Sequence, residues 1–157
     1  MIDAHMKWYN PEVFSKLWIE LNKRHEVQII DYVNNEIEYP DELVTWVKEK
    51  HQKNEIEINE EIISVYNKLI KWVRNCSRWS EAGFAEWQKP EKADPWLIAI
   101  AKVNDFTIVT LDGNLRTSLP DKKSFSNKEP KISAVANRYE VSTIPMYELL
   151  KEMELSF

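Results

Sequence analysis

Residues 93–112 constrain the fold more than any other stretch. Ala93-Asp94-Pro95-Trp96-Leu97-Ile98-Ala99-Ile100-Ala101 is apolar on nearly every side after its first turn, a pattern that suits a buried helix. After a short break, Phe106-Thr107-Ile108-Val109-Thr110-Leu111-Asp112 reads as a buried strand running out into a loop. A helix feeding straight into a buried strand is the repeating step of a parallel sheet. The same step carries two acids, Asp94 on the first turn of the helix and Asp112 just past the strand, to one edge. Carboxylates that converge at the carboxyl end of a parallel strand suit a hard divalent cation. Thr110 points to the same face as Asp112, where its hydroxyl can orient a carboxylate or a water.

Each of these residues also has a plainer role. Asp94-Pro95 is what helix capping alone selects, with Asp at the cap and Pro at the first helical position. The two roles are compatible, because one carboxylate oxygen can accept a backbone N–H while the other faces a metal. Asp112-Gly113-Asn114 is a turn signal, but no alternating strand follows it, so a loop leaving a strand fits better than a hairpin.

The remaining elements are predicted from spacing and capping. Asn10-Pro11-Glu12 opens a helix that carries Val13, Leu17, Trp18 and Leu21 and ends near Arg24. Val27–Ile30 reads as a short strand, with Asp31 capping a short helix that bears Glu36. Further helices are predicted from Pro40 to Lys50, from Asn59 to Arg74, and over Trp79–Trp87. The Asp94 helix and the Phe106–Leu111 strand come next, then a polar loop from Asp112 to Pro130. A helix over Ile132–Tyr139, a strand at Val141–Ile144 and a helix from Pro145 to Met153 close the chain. Met1–Ala4 is the stub of a possible further strand. Strands alternating with helices predict an α/β domain with a parallel sheet.

Composition narrows the chemistry. At 157 residues the chain is predicted to be a single domain, 1–157, able to bury a core without cross-links. Its one cysteine, Cys76, precludes an internal disulfide and fits the cytoplasm. No apolar run approaches the roughly 20 residues that span a bilayer, so no membrane is expected among its partners. Only two glycines, Gly83 and Gly113, are present, which excludes a glycine-rich phosphate loop. His5, His25 and His51 show no i,i+4 pairing and no cysteine pair beside them, which argues against zinc. Seven tryptophans are many for this length, and packing in a helical core is their ordinary use.

Net charge is −5, which does not describe a protein that coats nucleic acid. The charge is uneven, however. Residues 34–61 hold nine acids against three lysines, whereas residues 68–92 hold six bases against three acids. An acidic lobe beside basic stretches can frame a phosphodiester around a metal, although solvated helix faces give similar counts.

An acid after an early strand–helix step, Asp opening an Ala-rich helix, and Val-Thr-x-Asp closing the next strand together resemble PIN-domain ribonucleases. The closer resemblance is to a PIN-like family, domain of unknown function 4411, and covers nearly the whole chain. It is carried by Tyr9-Asn10-Pro11-Glu12-Val13-Phe14-Ser15-Lys16-Leu17-Trp18, by Val33-Asn34-Asn35-Glu36-Ile37, and by Asp41-Glu42-Leu43-Val44-Thr45-Trp46. Ala93–Ala99 is its most specific piece, and Lys131-Ile132 with Val141–Ile144 completes it.

The resemblance implies a helix-rich α/β fold whose parallel sheet of about four strands is flanked by helices on both faces. It also implies a Mg²⁺ or Mn²⁺ site at which RNA phosphodiesters are hydrolysed, often by the toxin half of a toxin–antitoxin pair. Glu36, Asp94 and Asp112 would be the acidic ligands and Thr110 their support. Lys71, Arg74, Arg78, Lys122, Lys123, Lys128 and Lys131 would hold flanking phosphates, and Trp79 or Trp87 would stack a base. The family's first strand ends in an aspartate ahead of the Tyr-Pro-like segment. This chain starts several residues later by that spacing, so Asp3 falls just past the expected ligand and the first strand is expected to be short or missing. The alternative expectation is a non-catalytic interaction module that binds an antitoxin or a second copy of itself, its acids being caps and turns. Phosphatase chemistry on a small ester lacks the Asp-x-Asp strand it often uses.

Overall fold

The computed structural model describes residues 1–53, 55–111 and 129–155. They form two compact units, Met1–Glu57 with Leu150–Phe157, and Ile58–Leu149.

The first unit is helical throughout its described elements. A π-helical turn, Ala4–Trp8, precedes α1 (Pro11–Lys23), α2 (Asp31–Glu36) and α3 (Asp41–Gln52). Asn10 caps α1 as its sequence suggests, its side-chain oxygen accepting the Glu12 N–H at 2.8 Å, with Pro11 in the first position. Trp18, Ile29, Leu43 and Val47 make the core. The Trp18 and Trp46 rings meet edge to face at 5.0 Å, and the Trp46 indole N–H donates to the Trp18 carbonyl at 3.0 Å. Two aromatic rings and a hydrogen bond thus lock α3 onto α1.

Two expected strands are absent from this unit. Residues 1–4 enter a helical turn instead, with His5 N–H donating to the Met1 carbonyl and Asp3 pairing with Lys7 one turn on at 2.7 Å. Val27–Ile30 forms no ladder, and two of its carbonyls are used elsewhere. Ile30 O accepts the Asn34 N–H that starts α2, and Ile29 O lies 3.1 Å from His51 Nδ1. Ile29 and Ile30 are still buried, so the hydrophobic signal there marked burial and not pairing.

Lys50 is 1% exposed, and its ammonium donates to the Arg24 and Asn22 carbonyls at the end of α1. A lysine at that position satisfies carbonyls that the helix leaves open. Burial pulls its pKa down, with Lys53 adding to the shift and Glu26 opposing it.

His5 is also buried, edge-on to Trp18 at 5.1 Å, and burial lowers its pKa from the ordinary 6.5 while Glu42 opposes weakly. The unfolded chain therefore takes up this proton more readily than the folded one. Stability from neutral His5 is complete above the unfolded value and is lost as pH falls through the lower folded value. The urea midpoint is expected to drop between about pH 7.5 and pH 5.5 more steeply in the native chain than in His5→Phe. Parallel curves would assign the loss to other groups.

The second unit contains α4 (Glu60–Asn75), α5 (Glu81–Trp87), α6 (Ala93–Asn104), β1 (Ile108–Val109), α7 (Ile132–Arg138) and β2 (Thr143–Ile144); α8 (Met146–Glu152) follows β2. Asn59 caps α4 and Ser80 caps α5, each accepting the N–H three residues on, at 2.9 and 3.1 Å. Leu69 and Val73 of α4, Trp87 of α5, Ile98 of α6 and Val135 of α7 meet in one core. β1 and β2 are parallel, with Ile108 opposite Thr143 and Val109 opposite Ile144.

The expected sheet of about four parallel strands is therefore wrong. Among the described residues the sheet has two strands of two residues each, and the other described residues are helical or irregular. Helix packing replaces the missing strands: α6 lies against α4 on one side and against α7 and β1 on others, so α6 is the central buried element. Of the tryptophans, Trp18, Trp79 and Trp87 are buried as expected, whereas Trp8 is 64% exposed. No described helix is long and apolar enough to cross a membrane.

Candidate functional site

The second unit builds its candidate site at the amino end of α6. The chain enters through Lys92, which is extended and stands at the cap position without a side-chain cap bond. Asp94 is thus the second residue of the helix and not its cap, further in than capping alone suggests. Its carboxylate sits in the first turn, where backbone N–H groups and the helix dipole favour negative charge. Pro95 beside it is fully buried, and Asp94 itself is half-buried. The start of α6 is fixed by its neighbours. Trp96 stacks on Tyr66 of α4 with ring centroids 4.0 Å apart and 17° between planes, and its N–H donates to the Pro90 carbonyl at 3.1 Å.

α6 ends at Asp105, whose left-handed conformation (φ 56°, ψ 42°) reverses the chain, with the Phe106 N–H closing onto the Ala101 carbonyl at 2.9 Å. Asp is one of the few non-glycine residues that takes this conformation readily. After Asp105 the chain enters β1, which contacts α6, and Thr110 follows directly at the carboxyl end of that strand. Thr110 is half-buried there, its N–H held by the Ile144 carbonyl of β2 at 3.0 Å.

Asp112 lies outside the described residues, as do Lys122, Lys123 and Lys128. Leu111 is the last described residue before that segment and Glu129 the first after it. Glu129 pairs with Lys92 at 2.8 Å, two residues from Asp94. A cation and an anion thus already flank the start of α6, a feature that the sequence pattern of acids does not reveal. Ser133, on the first turn of α7, is 3% exposed, and no spacing in the sequence singles it out.

Glu36 and Asp3 belong to the first unit. Glu36 is the last residue of α2 and is exposed; Asp3 is the partner of Lys7. Trp79 and Trp87, which the resemblance offered as base-stacking rings, are 7% and 0% exposed and belong to the core. Asp31 does not cap α2 but starts it, and its carboxylate pairs with Nε2 of His51 on α3. With Nδ1 of the same ring on the Ile29 carbonyl, both nitrogens face acceptors, so this His–Asp pair holds α3 to α2 and leaves no ring nitrogen for a substrate proton. Its members stand twenty positions apart, and no local pattern announces them.

Hard oxygen donors are the right class for Mg²⁺ or Mn²⁺, and Asp94 and Thr110 supply that class. Among the described residues, no group of three or more His, Cys, Asp or Glu side chains is placed to hold a metal ion. A complete set therefore needs Asp112 or another donor from outside them. Searches of curated proteins and of solved structures find no match. The family model of the Domain of unknown function (DUF4411) matches residues 1–157, the full length that includes α6 and β1, and the chain belongs to that family.

Proposed function

We propose that this chain is a metal-dependent phosphodiesterase that cleaves RNA, with a centre of the kind found in PIN-domain ribonucleases. Asp94 and Asp112 would hold Mg²⁺ or Mn²⁺, and the Thr110 hydroxyl would orient a carboxylate or a water beside them. The observation that carries the proposal is the half-buried Asp94 in the first turn of α6, the helix that leads through Asp105 into β1 with Thr110 at its carboxyl end. Ligands of α/β proteins gather at that end of parallel strands.

When bound, the ion would supply a water of lowered pKa and a positive charge for the phosphate oxygens. The chain's own groups do the rest. The first turn of α6 presents Asp94, and buried Pro95 with the Trp96–Tyr66 stack fixes that turn. Crystals soaked in Mn²⁺ are expected to show an anomalous-difference peak against Asp94. An empty position there, together with RNA cleavage that survives chelator, would overturn the proposal.

A second reading, a non-catalytic module that binds an antitoxin or a second copy, is favoured by apolar side chains left in solvent near α1. Val13 is 75% exposed and Ile19 52%, in addition to Trp8. It requires concentration-dependent assembly in sedimentation velocity, indifferent to Mn²⁺; a strict monomer at all concentrations contradicts it.

A further inference from the structure

We propose that the outer face of α4, with Arg138 beside it, is a binding surface for single-stranded RNA. The proposal names the substrate surface for the reaction above and rests on RNA being that substrate.

Ile62, Leu69 and Val73 mark the core-facing side of α4. At about 100° of rotation per residue, Lys71 falls opposite that side, with Lys68 and Arg74 about 60° to either flank. All three are exposed. Each stands about 4.5 Å along the axis from the next. The positions three and four residues away on α4 hold no acid, and among the described residues none of the three cations takes part in an ion pair or hydrogen bond. Lys7, Lys23, Lys89, Lys92 and Lys102 elsewhere are each matched with a carboxylate, although Lys16 and Lys48 are not. What sets Lys68, Lys71 and Arg74 apart is that they stand side by side on one exposed helix face, a row suited to an anion.

The helix dipole does not account for them. It favours cations only within the last turn, which explains Arg74 but neither Lys71 nor Lys68. A second feature separates this face from a merely solvated one. Trp72, one turn on from Lys68, carries the Arg138 guanidinium over its ring at 5.7 Å from the centroid, and Arg138 is exposed. A planar cation seated on an indole offers a platform for an unpaired base. A row of cations for phosphates beside a stacking platform is the composition of a single-strand binder. An acidic protein segment would use the cations and leave the platform idle.

The test is fluorescence anisotropy of labelled oligo-uridine in EDTA, so that nothing is cleaved. The variant Lys68→Glu, Lys71→Glu, Arg74→Glu is compared with a control of equal net charge, Lys16→Glu, Lys48→Glu, Lys151→Glu, and both are checked for native circular dichroism. The α4 variant is expected to bind at least about tenfold more weakly, and its slope of log K against log salt to flatten by about 2, at about 0.7 per lost phosphate contact. The control is expected to keep the native slope, and Arg138→Ala to lose about tenfold affinity through the platform. Equal weakening in both triple variants, no binding of oligo-uridine by the native chain, or equal affinity for polyglutamate would each overturn the RNA assignment. Mn²⁺ binding at Asp94 is measured on the same proteins. Metal without oligo-uridine leaves the catalytic centre and removes the surface; oligo-uridine without metal does the reverse.

Discussion

Asp94→Asn is expected to lower RNA cleavage on the order of 10³-fold, the scale of losing one group that stabilises charge in the transition state. Mn²⁺ affinity, read by calorimetry, is expected to fall with it. The substitution keeps the shape of the side chain and removes the charge that a hard cation requires. Its structural cost is read separately, by melting. Asp94 is not the cap of α6, since Lys92 occupies that place. The charge it gives up near the positive end of the helix accounts for about 0.3–1 kcal/mol. That loss moves a melting curve by a few degrees at most and cannot account for a thousandfold loss of rate. Normal melting with lost cleavage and lost metal binding supports the centre. Unchanged cleavage in Asp94→Asn, or cleavage indifferent to chelator, would remove Asp94 from it.

The sequence made the second unit more legible than the first, for a physical reason. Asn59, Ser80 and the Ala93–Ala101 run act locally: a cap and an apolar periodicity declare a helix wherever the helix finally packs. The predicted bounds of α4, α5 and α7 lie within a residue or two of those observed, and α6 starts where predicted but runs on to Asn104. Strands are different, because an apolar run states burial but not who pairs with it. Val27–Ile30 and Ile108–Val109 read alike in sequence. The second finds a ladder with Thr143–Ile144, whereas the first gives its carbonyls to α2 and His51. The expected central sheet shrank to a pair for the same reason, and Met1–Ala4 went into a helical turn stabilised by the Asp3–Lys7 pair. The placement of Asp94 on the first turn of a helix and of Thr110 at the end of a strand was legible from the helix–strand step. The Lys92–Glu129 pair was not, since it joins residues far apart in the chain.

Trp87→Ala is expected to cost about 3–5 kcal/mol, the top of the range for truncating a buried side chain. Trp87 is 0% exposed and is the largest fully buried side chain among the described residues; it shares its core with Leu69 and Val73 of α4 and Ile98 of α6. Against the roughly 5–15 kcal/mol that hold an ordinary domain together, that loss is a large fraction of the total. Urea unfolding followed by circular dichroism reads it directly. Trp87→Phe separates two contributions. The Trp87 indole N–H is buried with no hydrogen-bond partner among the described residues, so the native side chain already carries a desolvated donor, which costs about 1–3 kcal/mol. Phenylalanine removes that donor while leaving a smaller void than alanine, and the two effects oppose each other. The expected loss for Trp87→Phe is therefore under about 1.5 kcal/mol, the range of well-tolerated core swaps. A loss as large as that of alanine would mean that the indole N–H contributes a bond of its own. Because Trp87 packs with Ile98 of α6, the alanine variant is also expected to lose Mn²⁺ binding in step with unfolding, whereas Asp94→Asn loses it in a folded chain.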